Sequence, residues 1–220
     1  MKFQRKVLEY HNRTISVWIP EVIPDYLWFA EPIVDSRALF GNSEGYRFIR
    51  DLLLIAANHK TKDSMFYVPI PQRPHQSPYM SIPEMENWYK VGDFELDLVL
   101  FNYHFTQLTT KDVKTILSSL KYLPGVAFNI EPDQQLIRQH IEEWNRWKLK
   151  NTLNTKAHSQ YLIISAEKEM LIHLAYQADS FTNIKDDSQH NYHAHTHADL
   201  LGTSKNNGLN FFYYLPAALE

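Results

Sequence analysis

The sequence predicts an α+β fold with a mixed or antiparallel sheet, about three helices and a C-terminal β-rich segment. Three observations predict it. Apolar residues recur at helical spacing in three stretches, they alternate with polar residues in others, and polar turn clusters such as Lys205-Asn206-Asn207-Gly208 punctuate the chain. With 220 residues, of which 44% are hydrophobic and 14% aromatic, there is material for a sizeable core. One α+β domain over residues 1–220 is expected, with a possible hinge near 148–160 where KNTLNTKAHSQ is polar.

In chain order, Val7, Ile15, Val17 and Ile19 around the polar His11-Asn12-Arg13 predict a β-hairpin over residues 6–19. Residues 20–40, with three prolines and the apolar group Tyr26, Leu27, Trp28 and Phe29, read as an irregular packed connection. Asn42 or Ser43 can cap a helix whose Phe48, Leu52 and Ile55 share a face up to about Ala57. A strand from Met65 to Ile70 runs into PIPQRPHQSPYMSIP, whose prolines forbid a helix or a central strand and make it an exposed loop.

Phe94, Leu96, Leu98 and Leu100 alternate along a strand over residues 94–105. Thr109 or Thr110 can cap a helix with Val113, Ile116, Leu117 and Leu120 on one stripe; Pro124-Gly125 ends it before a short strand from Val126 to Ile130. Pro132 predicts the start of a helix reaching Lys150, with Ile137, Ile141, Trp144 and Trp147 facing the core. Tyr161–Ser165 and Leu171–Tyr176 read as a hairpin turning at Glu167-Lys168, residues 177–192 as loop, and Leu209–Leu215 as a last strand.

Composition narrows the functional classes. A net charge of -3 without a long basic run gives phosphate backbones little to hold, so nucleic acid is not an expected partner. The absence of cysteine excludes disulfides, iron–sulfur clusters, cysteine-based zinc sites and a cysteine nucleophile. Six glycines leave little for phosphate-binding loops, and no Walker loop, G-x-S-x-G, H-E-x-x-H or dinucleotide fingerprint occurs. Apolar runs are too short for a membrane span or a signal peptide, so a cytoplasmic protein is expected.

One cluster could carry chemistry. Four of eleven histidines fall within His190-Asn-Tyr-His193-Ala-His195-Thr-His197-Ala-Asp199. In a strand, His193, His195 and His197 share a face, neighbours lying about 6.5 to 7 Å apart, which suits an H-x-H pair on zinc or another divalent transition metal. The outer two would be about 13 Å apart, so a third ligand must come from a bend, from Asp199, or from a distant residue such as His104 or His173.

His195 to Asp199 superficially resembles the HxHxDH motif of metallo-β-lactamase-like hydrolases, but Leu200 stands where the last histidine belongs. His104-Phe105-Thr106 is similar to half of a two-histidine phosphoesterase site, which needs a second such strand; His59-Lys60-Thr61 and His75-Gln76-Ser77 match in pattern but fall outside the expected strands. The alternating Asp93, Glu95 and Asp97 read as a solvated strand face.

Two functions follow as expectations. The first is a non-enzymatic binding or regulatory protein of the immunity or accessory type, with a protein partner. The alternative is a metal-dependent hydrolase in which His193, His195, His197 and Asp199 hold a metal that activates water.

Overall fold

A computed structural model describes residues 1–30, 36–69, 96–143, 153–184, 195–197 and 208–213. The N-terminal hairpin forms as expected. Strands β1 (Lys2–Tyr10) and β2 (Arg13–Pro20) pair antiparallel, with Tyr10 opposite Arg13. His11 and Asn12 form the two-residue turn with φ of 47° and 60°, the left-handed pair that matches the twist of a hairpin.

The connection after β2 is more regular than its prolines suggest. It holds β3 (Leu27–Ala30) and β4 (Ser36–Gly41), which pair antiparallel; Pro20 ends β2 and Pro24 precedes β3, which leaves the Leu-Trp-Phe run free to pair, and Pro32 lies outside the described residues. Helix α1 (Ser43–Asn58) follows, with the Asn42 side chain accepting from the Gly45 N–H at 2.9 Å. Gly45 is required there, because a Cβ would stand 2.5 Å from the Tyr26 carbonyl oxygen.

Strands β5 (Ser64–Val68) and β6 (Asp97–Asn102) pair antiparallel, and α2 (Thr110–Ser119) starts at a capping box between Thr109 and Asp112. A short 3-10 turn, Leu120–Tyr122, then leads to β7 (Val126–Asn129). Helix α3 covers Gln135–Glu143. It starts three residues after Pro132, where the Asp133 carboxylate accepts from the Gln135 N–H at 3.1 Å. Its buried residues are Leu136, Ile137 and His140, while Ile141, expected in the core stripe, is 52% exposed; Trp144 and Trp147 lie outside the described residues.

Within the polar segment read as a possible hinge, Leu153–His158 forms β8, which turns through Ser159 into β9 (Tyr161–Ala166); residues 148–152 lie outside the described residues. Leu171–Tyr176 belongs to a helix, α4 (Lys168–Asp179), and not to a strand. Met170 to Ala175 are all buried, so the segment shows no polar face from which a helical period could be read. Strands β10 (His195–His197) and β11 (Gly208–Tyr213) close the described chain.

The strands form two mixed sheets. The seven-stranded sheet has the order β7-β1-β2-β5-β6-β9-β8, with β2–β5 and β6–β9 parallel. The four-stranded sheet has the order β10-β11-β4-β3, with β11 and β4 parallel. One face of the large sheet, through Ile15, Val17, Met65, Val99 and Phe101, packs on the α2 stripe. Its other face, through Phe3, Phe66, Leu98, Leu100 and Ile164, joins α1, α4 and the small sheet in the larger core. Among the described residues no helix is long and apolar enough to cross a membrane.

Candidate functional site

The helices that cover the larger core leave one end of the sheet open. β7 is the terminal strand of the large sheet among the described residues, pairs with β1, and has all four of its residues exposed. The register sets Val126 opposite Arg5 and Phe128 opposite Phe3, so alternation places Val126, Phe128, Phe3, Arg5 and Val7 on one face. There Val126 is 61% exposed, Val7 41% and Phe128 39%, whereas Phe3 is fully buried. Burial therefore ends within a few residues along one face.

A polar and aromatic group stands at this boundary. The Arg5 guanidinium carbon lies 5.4 Å from the Trp18 ring centre and 5.9 Å from that of Phe128, a geometry in which the ring faces attract the cation. Arg5 donates to Ser16 Oγ from Nη2 at 2.9 Å and from Nε at 3.3 Å. The indole N–H of Trp18 donates to Ser64 Oγ at 2.8 Å, and His59 Nε2 lies 3.0 Å from the same oxygen. Trp18 uses one lone pair of the Ser64 oxygen, which leaves that hydroxyl able to donate to His59 Nε2 or to accept from it, according to the imidazole tautomer. Burial first, and the Arg5 charge second, hold the His59 pKa below its ordinary value.

The Ser64–His59 pair has the spacing of a nucleophile and its base. Ser64 is nevertheless only 4% exposed, and no described carboxylate bonds to His59, so the arrangement is a buried hydrogen-bond chain that keeps the Trp18 N–H satisfied. Sequence reasoning placed none of these residues in a site. Their closeness depends on β2 pairing with β5, which sets Ser16 beside Ser64, and on the C-terminal end of α1 bringing His59 to Trp18.

Of the predicted metal ligands, His195 and His197 occupy alternate positions of β10, opposite Phe212 and Asn210 of β11. His193 and Asp199 lie outside the described residues. The two distant candidates are engaged elsewhere. His104 sits in the turn after β6, with Nε2 4.0 Å from Glu167. His173 of α4 lies with Nδ1 3.2 Å from His140 Nε2 of α3, both side chains buried.

Burial, followed by the neighbouring His140, pushes His173 down to about 4. Asp97 accepts from the Tyr67 hydroxyl at 2.7 Å, while Asp93 and Glu95 lie outside the described residues. The described residues hold no group of three His, Asp or Glu arranged for a metal ion. Compared with protein-family models, curated proteins and solved structures, the chain matches none.

Proposed function

We propose that the protein is a non-enzymatic binding protein that takes an extended segment of a protein partner along the open end of its large sheet. The observation that carries this reading is β7, an exposed edge strand whose Val126 and Phe128 continue an apolar face into solvent. An edge strand presents unpaired backbone N–H and C=O groups, and natural sheets commonly blunt such edges with lysine, proline or a bulge. The strand Val-Ala-Phe-Asn carries no such residue. An added strand would pair with this edge while its alternate side chains meet Val126 and Phe128.

The test is capture of a partner by the intact chain, its identification, and repetition with Val126→Lys and Phe128→Lys. These exposed substitutions are expected to leave the fold intact and to abolish capture, while the partner slows amide exchange at residues 126–129 of the parent protein. A partner held equally by both variants would sink the reading. So would a chain that retains no partner while turning over a substrate.

The second reading is a metal-dependent hydrolase using His193, His195, His197 and Asp199, and its support is the strand position of His195 and His197. It predicts stoichiometric zinc or another divalent transition metal in untagged protein purified without a metal resin. Elemental analysis finding none would remove it.

A further inference from the structure

The boundary of the open sheet face holds a cation that no described carboxylate neutralises. Arg5 is half-buried, and its described polar contacts are the two bonds to the neutral Ser16 hydroxyl; no described carboxylate lies within ion-pair distance. Glu21 and Glu131, on the segments that flank β1 and β7, meet the neutral amides of Gln4 at 2.6 Å and Asn129 at 2.8 Å and make no ion pair with Arg5. His59 borders the same Trp18 ring as Arg5, its own ring centre 5.2 Å from that of the indole, and the charge of Arg5 repels it once the imidazole is protonated. Partly burying a charge without a partner is costly, and a half-exposed guanidinium retains N–H groups beyond those committed to Ser16.

We propose that Arg5 and His59 form an oxyanion site at the open end of the sheet, taking a carboxylate or phosphate group of the segment that docks on β7. The proposal rests on the docking reading for the origin of the group, but the site itself is defined by the residues of this chain. Trp18 and Phe128 hold the guanidinium between their rings, and Ser16 fixes its plane through Nε and Nη2. The bonds to Ser16 occupy the Nε–Nη2 edge of the fork and leave its Nη1–Nη2 end for the oxyanion. Val126 and Phe128 beside it supply apolar contact for the carbon atoms that carry the anion.

An anion bridging the two residues also changes His59. It stabilises the imidazolium that Arg5 alone disfavours, so binding takes up a proton and shifts the His59 titration upward.

The experiment needs no partner. Acetate and inorganic phosphate are titrated separately into the intact protein at constant ionic strength, and the side-chain NMR signals of His59 and Arg5 are followed. Saturable shifts of both, with an upward move of the His59 titration, support the site; the probe that binds more tightly assigns the source as a carboxylate or a phosphate. Arg5→Gln is expected to weaken binding roughly tenfold or more, whereas Lys111→Gln, which removes the same charge on α2, leaves it unchanged.

Should Arg5→Gln fail to fold, His59→Gln provides the second comparison, read on the Arg5 signal. Shifts that never saturate, or that persist in the Arg5 or His59 variant, overturn the proposal. A failed anion titration alongside partner loss in the Val126 variant would reject this site and keep the docking surface. The converse result would keep the site and reject the surface.

Discussion

Single side chains in this protein matter most where a polar group is buried, and most such groups find a partner, Asn102 Nδ2 and Thr155 Oγ1 being buried exceptions. Thr106 is 1% exposed and both accepts from the Ser64 N–H and donates to the Ser64 carbonyl, at 2.8 Å each. The Trp18, Ser64 and His59 chain follows the same rule. The buried His140–His173 contact satisfies one nitrogen of each ring only while at most one proton lies between them. Burial first, and the neighbouring His140 second, keep His173 from taking a proton down to about pH 4 in the folded state, whereas an unfolded chain accepts one near 6.5.

The unfolded state binds more protons between these limits, so this contribution to stability is full above about pH 6.5 and is lost as pH falls towards 4. His173→Gln should flatten that part of the profile in denaturant titrations across the window. His59, shifted in the same direction, leaves a residual slope. An unchanged slope in the variant would refute the assignment. No pattern in the sequence marked His140 as a partner of His173, because the two are 33 residues apart and meet only where α3 crosses α4.

Elements show the same division between local and distant causes. The start of α2 is local: Thr109 Oγ1 accepts from the Asp112 N–H at 3.2 Å, and the Asp112 carboxylate accepts from the Thr109 N–H at 2.8 Å. Thr109→Ala removes the hydroxyl half of this box and should cost about 1 kcal/mol in chemical unfolding, with an unaltered midpoint counting against the capping role. The turn at His11-Asn12 and the cap at Asn42 are local in the same sense, and all three were readable as short motifs.

Helix α4 is the counter-example. Its Leu171–Tyr176 run suits a strand by composition, and it became a helix whose residues are nearly all buried, with α1 and α3 packed against it in the larger core. β8 is the converse case: Asn154, Lys156 and His158 look like linker residues, but alternation puts Leu153 and Thr155 into the core while pairing with β9 satisfies the backbone. Ile141 failed for a third reason, since the face of α3 that packs inward is centred on Leu136, Ile137 and His140.

Across the whole molecule, two mixed sheets share one large core with α1 and α4, and the last described strand is built into it. β11 pairs parallel with β4 from Gly208 to Tyr213, and the Tyr213 hydroxyl lies 3.0 Å from Ser43 Oγ at the head of α1. The α+β class, the N-terminal hairpin, α1, α2 and the final strand were legible in the sequence by itself. Each rests on periodicity, capping or turn chemistry within a window of a few residues, and those forces act before any tertiary contact forms.

The histidine cluster was equally legible as a list of residues, and His195 and His197 do fall in a strand. Strand order and the open sheet end were decided only by tertiary structure. No local signal states that β2 lies beside β5, that β7 returns to the edge of β1, or that α1 and α4 stop short of Val126 and Phe128. Arg5, Trp18, His59 and Phe128 become one site only through those long-range pairings, because the energy that selects them is burial summed over the whole core and belongs to no single segment.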